Sequence, residues 1–177
     1  LEAVGHAWTL RGPATRLTAA FLELVGAGSP EELFEGLVLG RYQISAAAAP
    51  LIFRVAEEGD EVAKGIIRWA GRELGETALG VVHQLGFEPV EFDLVLIGSL
   101  FKGNPLLMEK LGATVHTVAP RARLVRLDGP PVVGAVLLGM AQGGLDYTPI
   151  RHFLIESANS LLQRICGENA SAQAGHG

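Results

Sequence analysis

One cysteine in 177 residues, Cys166, leaves this chain without an internal disulfide and without a thiolate-based zinc site, as in a reducing compartment. No apolar run reaches the roughly 18–20 residues that span a bilayer, and the opening Leu1-Glu2-Ala3-Val4-Gly5 has no basic start of a secretory signal. No cluster of Lys and Arg with interleaved aromatics is present either. The 14 basic residues are outnumbered by 19 acidic ones, a net charge of −5, which points away from a nucleic-acid partner. The five histidines show no i, i+4 pair and no His-Glu-x-x-His pattern, so no metal set is expected. These absences predict a cytoplasmic protein that engages neither nucleic acid nor membrane. The first residue is not Met and the opening is amphipathic, which leads us to expect a fragment of a longer protein.

What is present is a chain 49% hydrophobic with 23 glycines, enough for one sizeable core or two small layers. Residues 1–60 read as a helical segment. Leu17, Phe21, Leu24 and Val25 share a face that stops at Gly26, and Ser29-Pro30-Glu31-Glu32 is a capping box in which Glu32 would reach back to Ser29. An alanine-rich run over residues 44–56 is helical with an interruption at Pro50, and Asp60 is the N-cap of the next helix.

Residues 61–145 read as an α/β region. Val62, Ile66, Ala70, Leu74, Ala78, Val81 and Leu85 form the buried stripe of a long helix ending near Gly86. Phe92–Ile97 is short and largely apolar, which predicts a strand covered on both faces as in a parallel sheet. A helix from Pro105 turns Leu107, Leu111, Val115 and Val118 inward. Arg123–Leu127 is a second strand, and "VVGAVLLGMAQ" is another helix. A last helix falls within residues 146–166, and residues 167–177 form a polar, disordered tail. The order helix, strand, helix, strand, helix gives an α/β fold, helix-rich overall, with few parallel strands covered by helices. Two strands leave open edges that invite another copy, hence a possible homo-oligomer.

The segment "FDLVLIGSLFKGNPLLMEKL", residues 92–111, runs a strand into a Gly-Ser turn and then a helix. Ligands of open α/β sheets sit beyond the carboxyl ends of the strands, and Gly98, lacking a Cβ, lets a sugar or α-phosphate approach the main chain beside the Ser99 hydroxyl. A tight connection that merely uses Gly and Ser is the alternative.

"LVLIGSLFKGNPLLMEKL" resembles the adenosine motif of the sugar kinase, Hsp70 and actin superfamily, and "LDGPPVVGAVLLGM" is similar to its second connecting motif, with Gly134 and Ala135 at a close helix crossing. Upstream, "GPATRLTAAFLELVGAGSPEELFEGL" and "AAAAPLIFRVAEEGDEVAKGIIRWAGREL" look like the helices of one branch, the N-acetylglucosamine kinase and BadF/BadG/BcrA/BcrD-type ATPase family. The resemblance covers about residues 10–142. It implies a partial RNase H-like lobe, on the adenosine side, of an enzyme that uses ATP with Mg²⁺ and yields ADP while phosphorylating a sugar or amino-sugar acceptor. The implied nucleotide contacts are Gly98, Ser99, Leu100, Phe101, Lys102 and Gly134. No Asp-Gly-Gly-Gly-Thr segment occurs here, and the catalytic Asp and second phosphate loop are likewise missing, so no catalytic residue and no catalysis by this chain alone is expected. Ser99 replaces the second glycine of the motif and brings a Cβ to the place where the resemblance implies contact with ribose or α-phosphate. ATPase activators of 2-hydroxyacyl-CoA dehydratases or benzoyl-CoA reductases belong to the same family but need paired cysteines, which Cys166 alone does not supply. A non-catalytic assembly or ligand-binding domain is the remaining alternative.

Overall fold

From residue 61 the elements alternate as the sequence predicts. A computed structural model describes residues 1–127 and 129–174, with the backbone alone for Lys102 and residues 165–174. The helices are α1 (Glu2–Trp8), α2 (Leu17–Val25), α3 (Pro30–Val38), α4 (Ala49–Glu57), α5 (Glu61–Leu85), α6 (Pro105–Val115), α7 (Pro131–Gln142) and α8 (Arg151–Ala174). Strands β1 (Phe92–Leu96) and β2 (Ala122–Arg126) make a small parallel sheet, with the Leu127 N–H donating to the Leu96 carbonyl at 3.1 Å. The result is a helix-rich α/β fold. It divides into a first unit, Leu1–Leu94 with Gly98–Leu124, and a second unit, Val95–Ile97 with the chain from Val125 onward.

Local chemistry sets the helix boundaries of the first unit. Gly26 and Gly86 close α2 and α5 in the left-handed conformation, with φ of 71° and 64°. Ser29 Oγ accepts from the Glu32 N–H at 3.2 Å, the first half of the capping box. The second half differs. The Glu32 carboxylate accepts from the Gly28 N–H at 2.8 Å and the Tyr42 hydroxyl at 3.0 Å, and these donors hold its carboxyl below the ordinary range. Pro50 does not interrupt a helix but lies in the first turn of α4, where its missing N–H costs nothing. Asp60 caps α5 by accepting from the Ala63 N–H at 2.8 Å.

The core of this unit gathers Val4, Leu17, Phe21, Leu33, Val55 and Ile67, with Leu107 inserted from α6. The buried face of α5 is not the expected stripe. Ala63, Ile67, Gly71, Gly75, Leu79 and Val82 face inward, whereas Val62, Ile66, Ala70, Leu74 and Ala78 flank them half-buried and Val81 and Leu85 are exposed. The physical reason is the glycines. A Cβ at Gly71 would stand 2.6 Å from the Leu107 carbonyl oxygen, and one at Gly75 2.7 Å from Thr114 Cβ, so α6 approaches the backbone of α5 itself. Trp69 is 56% exposed, while Trp8 stacks on Phe34 with ring centroids 5.6 Å apart.

Strand β1 is not covered on both faces. Leu96 is 5% exposed but Val95 is 48% exposed and Ile97, just past the strand, 56%. The apolar run reads as fully buried only because residues of both faces are aliphatic. Glu91 and Asp93 both pair with the Arg123 guanidinium, Asp93 at 2.7 Å, an exposed cross-strand contact of little energetic weight.

Gly134, expected at a close helix crossing, lies exposed on α7 and a Cβ there would meet nothing within 4 Å. A side chain added at Gly134 therefore has no contact to overpack. The α8 backbone is helical through Ala174, past the expected start of the tail at residue 167, in keeping with the helix propensity of its alanines. The side chain of Cys166 and residues 175–177 fall outside the described residues. No described helix is long and apolar enough to cross a membrane.

Candidate functional site

Strand β1 ends in a backbone that only glycine adopts readily. Gly98 has φ 121° and ψ 163°, and its Cα hydrogen faces open space, with nothing within 4 Å of a built Cβ. A single 3-10 turn, Ser99–Lys102, leads from it to α6, whose N-terminus is closed by Asn104 Oδ1 accepting from the Leu106 N–H at 3.0 Å. That cap occupies the first donor a phosphate would otherwise meet.

The turn borders a cavity of about 650 Å³ within the first unit. Ser99, Leu100 and Gly103 form one wall. The opposite wall is one face of α4, Pro50, Phe53, Arg54 and Glu57, continued by Ala46 and Ala47 of the preceding turn. Residues 50, 53, 54 and 57 have the i, i+3, i+4, i+7 spacing of a single helical face, while Val55 and Ala56 of the same helix enter the core. Phe53 also packs on Gly103, where a Cβ would lie 3.3 Å from its ring. Among the described residues, the ionisable groups on these walls are one cation, Arg54, and one anion, Glu57.

Of the six residues singled out from the sequence, Ser99 and Leu100 line this cavity and Gly98 opens the turn beside it. Phe101 instead packs against the hydrophobic core. The Lys102 side chain lies outside the described residues. Gly134 belongs to the second unit and lines a different cavity. The α4 wall was missed. Its signal was the spacing of Pro50, Phe53, Arg54 and Glu57 along one helical face, masked by reading the alanine-rich run as one structural helix. Among the described residues, no three His, Cys, Asp or Glu side chains cluster as a metal site would require.

The class set by this geometry is a helix-rich α/β lobe with a glycine turn at a parallel strand's carboxyl end, facing a cavity walled by a second helix. A particular likeness goes further: the chain is 29% identical over 133 residues to the N-acetyl-D-glucosamine kinase of Dictyostelium discoideum. The matched stretch takes in 73% of this chain and 42% of that kinase, so the chain spans less than half of its relative's length. This likeness supports a relationship to sugar kinases. No protein-family model matches the sequence.

Proposed function

We propose that this chain is the adenosine-side lobe of an ATP-dependent sugar kinase of the N-acetylglucosamine kinase and BadF/BadG/BcrA/BcrD type, holding base and ribose between the Gly98 turn and α4. The observation that carries the reading is the positive-φ glycine at the end of β1, set beside a 650 Å³ cavity with one aromatic and two charged side chains on its helical wall. That volume lies within the roughly 300–1,000 Å³ of small-ligand sites.

The walls suit a nucleoside. The Phe53 ring and the alanines offer an apolar surface to a base, and the Ser99 hydroxyl and Arg54 guanidinium are donors for its acceptors. The Glu57 carboxylate is an acceptor for hydroxyl or amino groups such as those of a ribose or an adenine. ATP supplies the phosphoryl group, and Mg²⁺ and the acceptor sugar bind in the complete protein with groups from outside this chain. Phosphoryl transfer is accordingly a property of the complete protein.

Adenosine should bind this chain weakly, at roughly millimolar concentration, worth about 4 kcal/mol. ATP, ADP and adenosine should compete at similar concentrations, with little dependence on Mg²⁺, because the phosphates find few partners here. In chemical-shift mapping the amides of 98–101 and of 53–57 should move first. Gly98→Leu, strained at this φ, and Ala47→Trp, which enters the cavity from its exposed rim, should each abolish those shifts. Adenosine shifts confined to any other part of the chain would refute the assignment, as would unchanged shifts in a folded Ala47→Trp variant.

A further inference from the structure

The side chains around the cavity between α4 and the Gly98 turn differ in how firmly they are held. Phe53 is half-buried and packs against the hydrophobic core of the first unit. Its ring also meets Gly103 on the facing wall: a Cβ built there would stand 3.3 Å from Phe53 Cε2 and 3.4 Å from Cδ2, with the Leu100 carbonyl oxygen at 3.4 Å. Any side chain at Gly103 would crowd the ring, so the ring's position depends on the glycine. By contrast, Arg54, Glu57 and Ser99, the polar side chains among the described lining residues, are all exposed. Ordering Arg54 or Glu57 on a ligand costs side-chain freedom that the anchored ring has already given up. Two backbone groups of the walls are engaged within the chain: the Leu100 carbonyl accepts from the Gly103 N–H at 3.3 Å, and the Ala47 N–H donates to Ser45 Oγ at 3.3 Å.

We propose that this cavity recognises a base by its face, through stacking on a Phe53 ring positioned by Gly103, and so accepts purine nucleotides as a class, guanine as readily as adenine. The inference rests on the nucleoside assignment of the cavity given above. Stacking tolerates the identity of the base because every base has a π-face. Adenine and guanine share one bicyclic ring system and differ in their edge groups, which a site tells apart with donors and acceptors held in place. The Ser99 hydroxyl turns to suit either edge, since it both donates and accepts. Phe53 is thus the residue that sets the ligand class, and Gly103 acts through it.

AMP, GMP and ribose 5-phosphate are matched probes that differ only in the base. Titrated into the whole chain and followed at the amides of 98–101 and 53–57, AMP and GMP should bind within about threefold of each other, and ribose 5-phosphate should move none of these amides. Phe53→Leu, which keeps an apolar side chain against the core, should weaken both nucleotides by a common factor of about ten. Gly103→Ala should weaken both about threefold in the parent chain and have no further effect on a Phe53→Leu background, where no ring remains to displace. A larger difference between AMP and GMP at the same amides would overturn recognition by the face and leave the nucleoside site standing, as would ribose 5-phosphate binding as tightly as AMP. Equal losses from Gly103→Ala on both backgrounds would overturn the positioning by Gly103. If neither nucleotide moves these amides, the nucleoside site and this inference fall together.

Discussion

Gly71→Ala should lower the urea midpoint of this protein, while Gly80→Ala, on the same helix nine residues further along, should raise it. Both substitutions gain the ordinary helix advantage of alanine over glycine, roughly 0.5–1 kcal/mol. They differ in what the new methyl meets. At Gly80 nothing lies within 4 Å, so the gain stands alone. At Gly71 the methyl would be 2.6 Å from a backbone carbonyl oxygen of α6, with Lys110 Cβ at 3.1 Å and the Leu111 nitrogen at 3.3 Å. Backbone on the facing helix cannot swing aside as a side chain could, so the pair must separate and lose contact along its length. Gly71→Ala should therefore carry a net cost on the order of 1–3 kcal/mol, and Gly71→Val should exceed it. Gly75→Val meets Thr114 and should behave similarly. Gly134→Ala belongs with Gly80→Ala. Midpoint shifts of the same sign at Gly71 and Gly80 would rule out the close crossing of α5 and α6.

Asp60→Ala should be the most damaging surface-near polar change, about 2 kcal/mol, at the upper end of N-cap losses. The carboxylate does more than cap α5. It accepts from the Thr15 hydroxyl at 3.0 Å and from the Arg16 N–H at 2.8 Å, so one side chain ties the start of α2 to the start of α5, 44 residues later in the chain for Arg16. Removing it strands three donors at once. Burial pushes the Asp60 pKa up, but the donors on Ala63, Arg16 and Thr15 outweigh it and hold the pKa below the ordinary 3.8. A depressed folded-state pKa contributes stability that is fully present above 3.8 and is lost as the pH falls through the lowered folded value. Asp60→Asn should therefore show a smaller acid loss of stability than the parent chain. Parallel urea titrations of the two proteins near neutrality and in acid measure the difference; identical acid losses would show that the junction does not depend on the charge.

Helix boundaries were legible in the sequence because they are written in local chemistry. Ser29, Asp60, Asn104-Pro105, Gly26 and Gly86 stop or start helices through bonds to residues only two to five positions away. Helix faces were less legible. Side-chain hydrophobicity selects Val62, Ile66 and Leu74 as the inner stripe of α5, yet the closest contact belongs to two glycines that score as nothing on such a scale. Gly134 misleads in the opposite direction, since a glycine in an apolar helix suggests a crossing that these residues do not make. At the candidate site, the Gly98 turn was legible because a strand running into Gly-Ser is a local pattern. The α4 wall was not, because nothing in residues 50–57 reveals which distant turn will face them.

Leu107 has a consequence for how the chain is made. Every other fully buried member of the first unit's core cluster lies within residues 4–67, and Leu107 arrives 40 positions after Ile67. During synthesis at roughly 5–20 residues per second, that gap lasts about 2–8 s. For that interval the nascent chain holds the rest of this buried cluster without Leu107. The order of translation thus makes α6 a late closure, and the interval before it is the window in which a chaperone would find this protein.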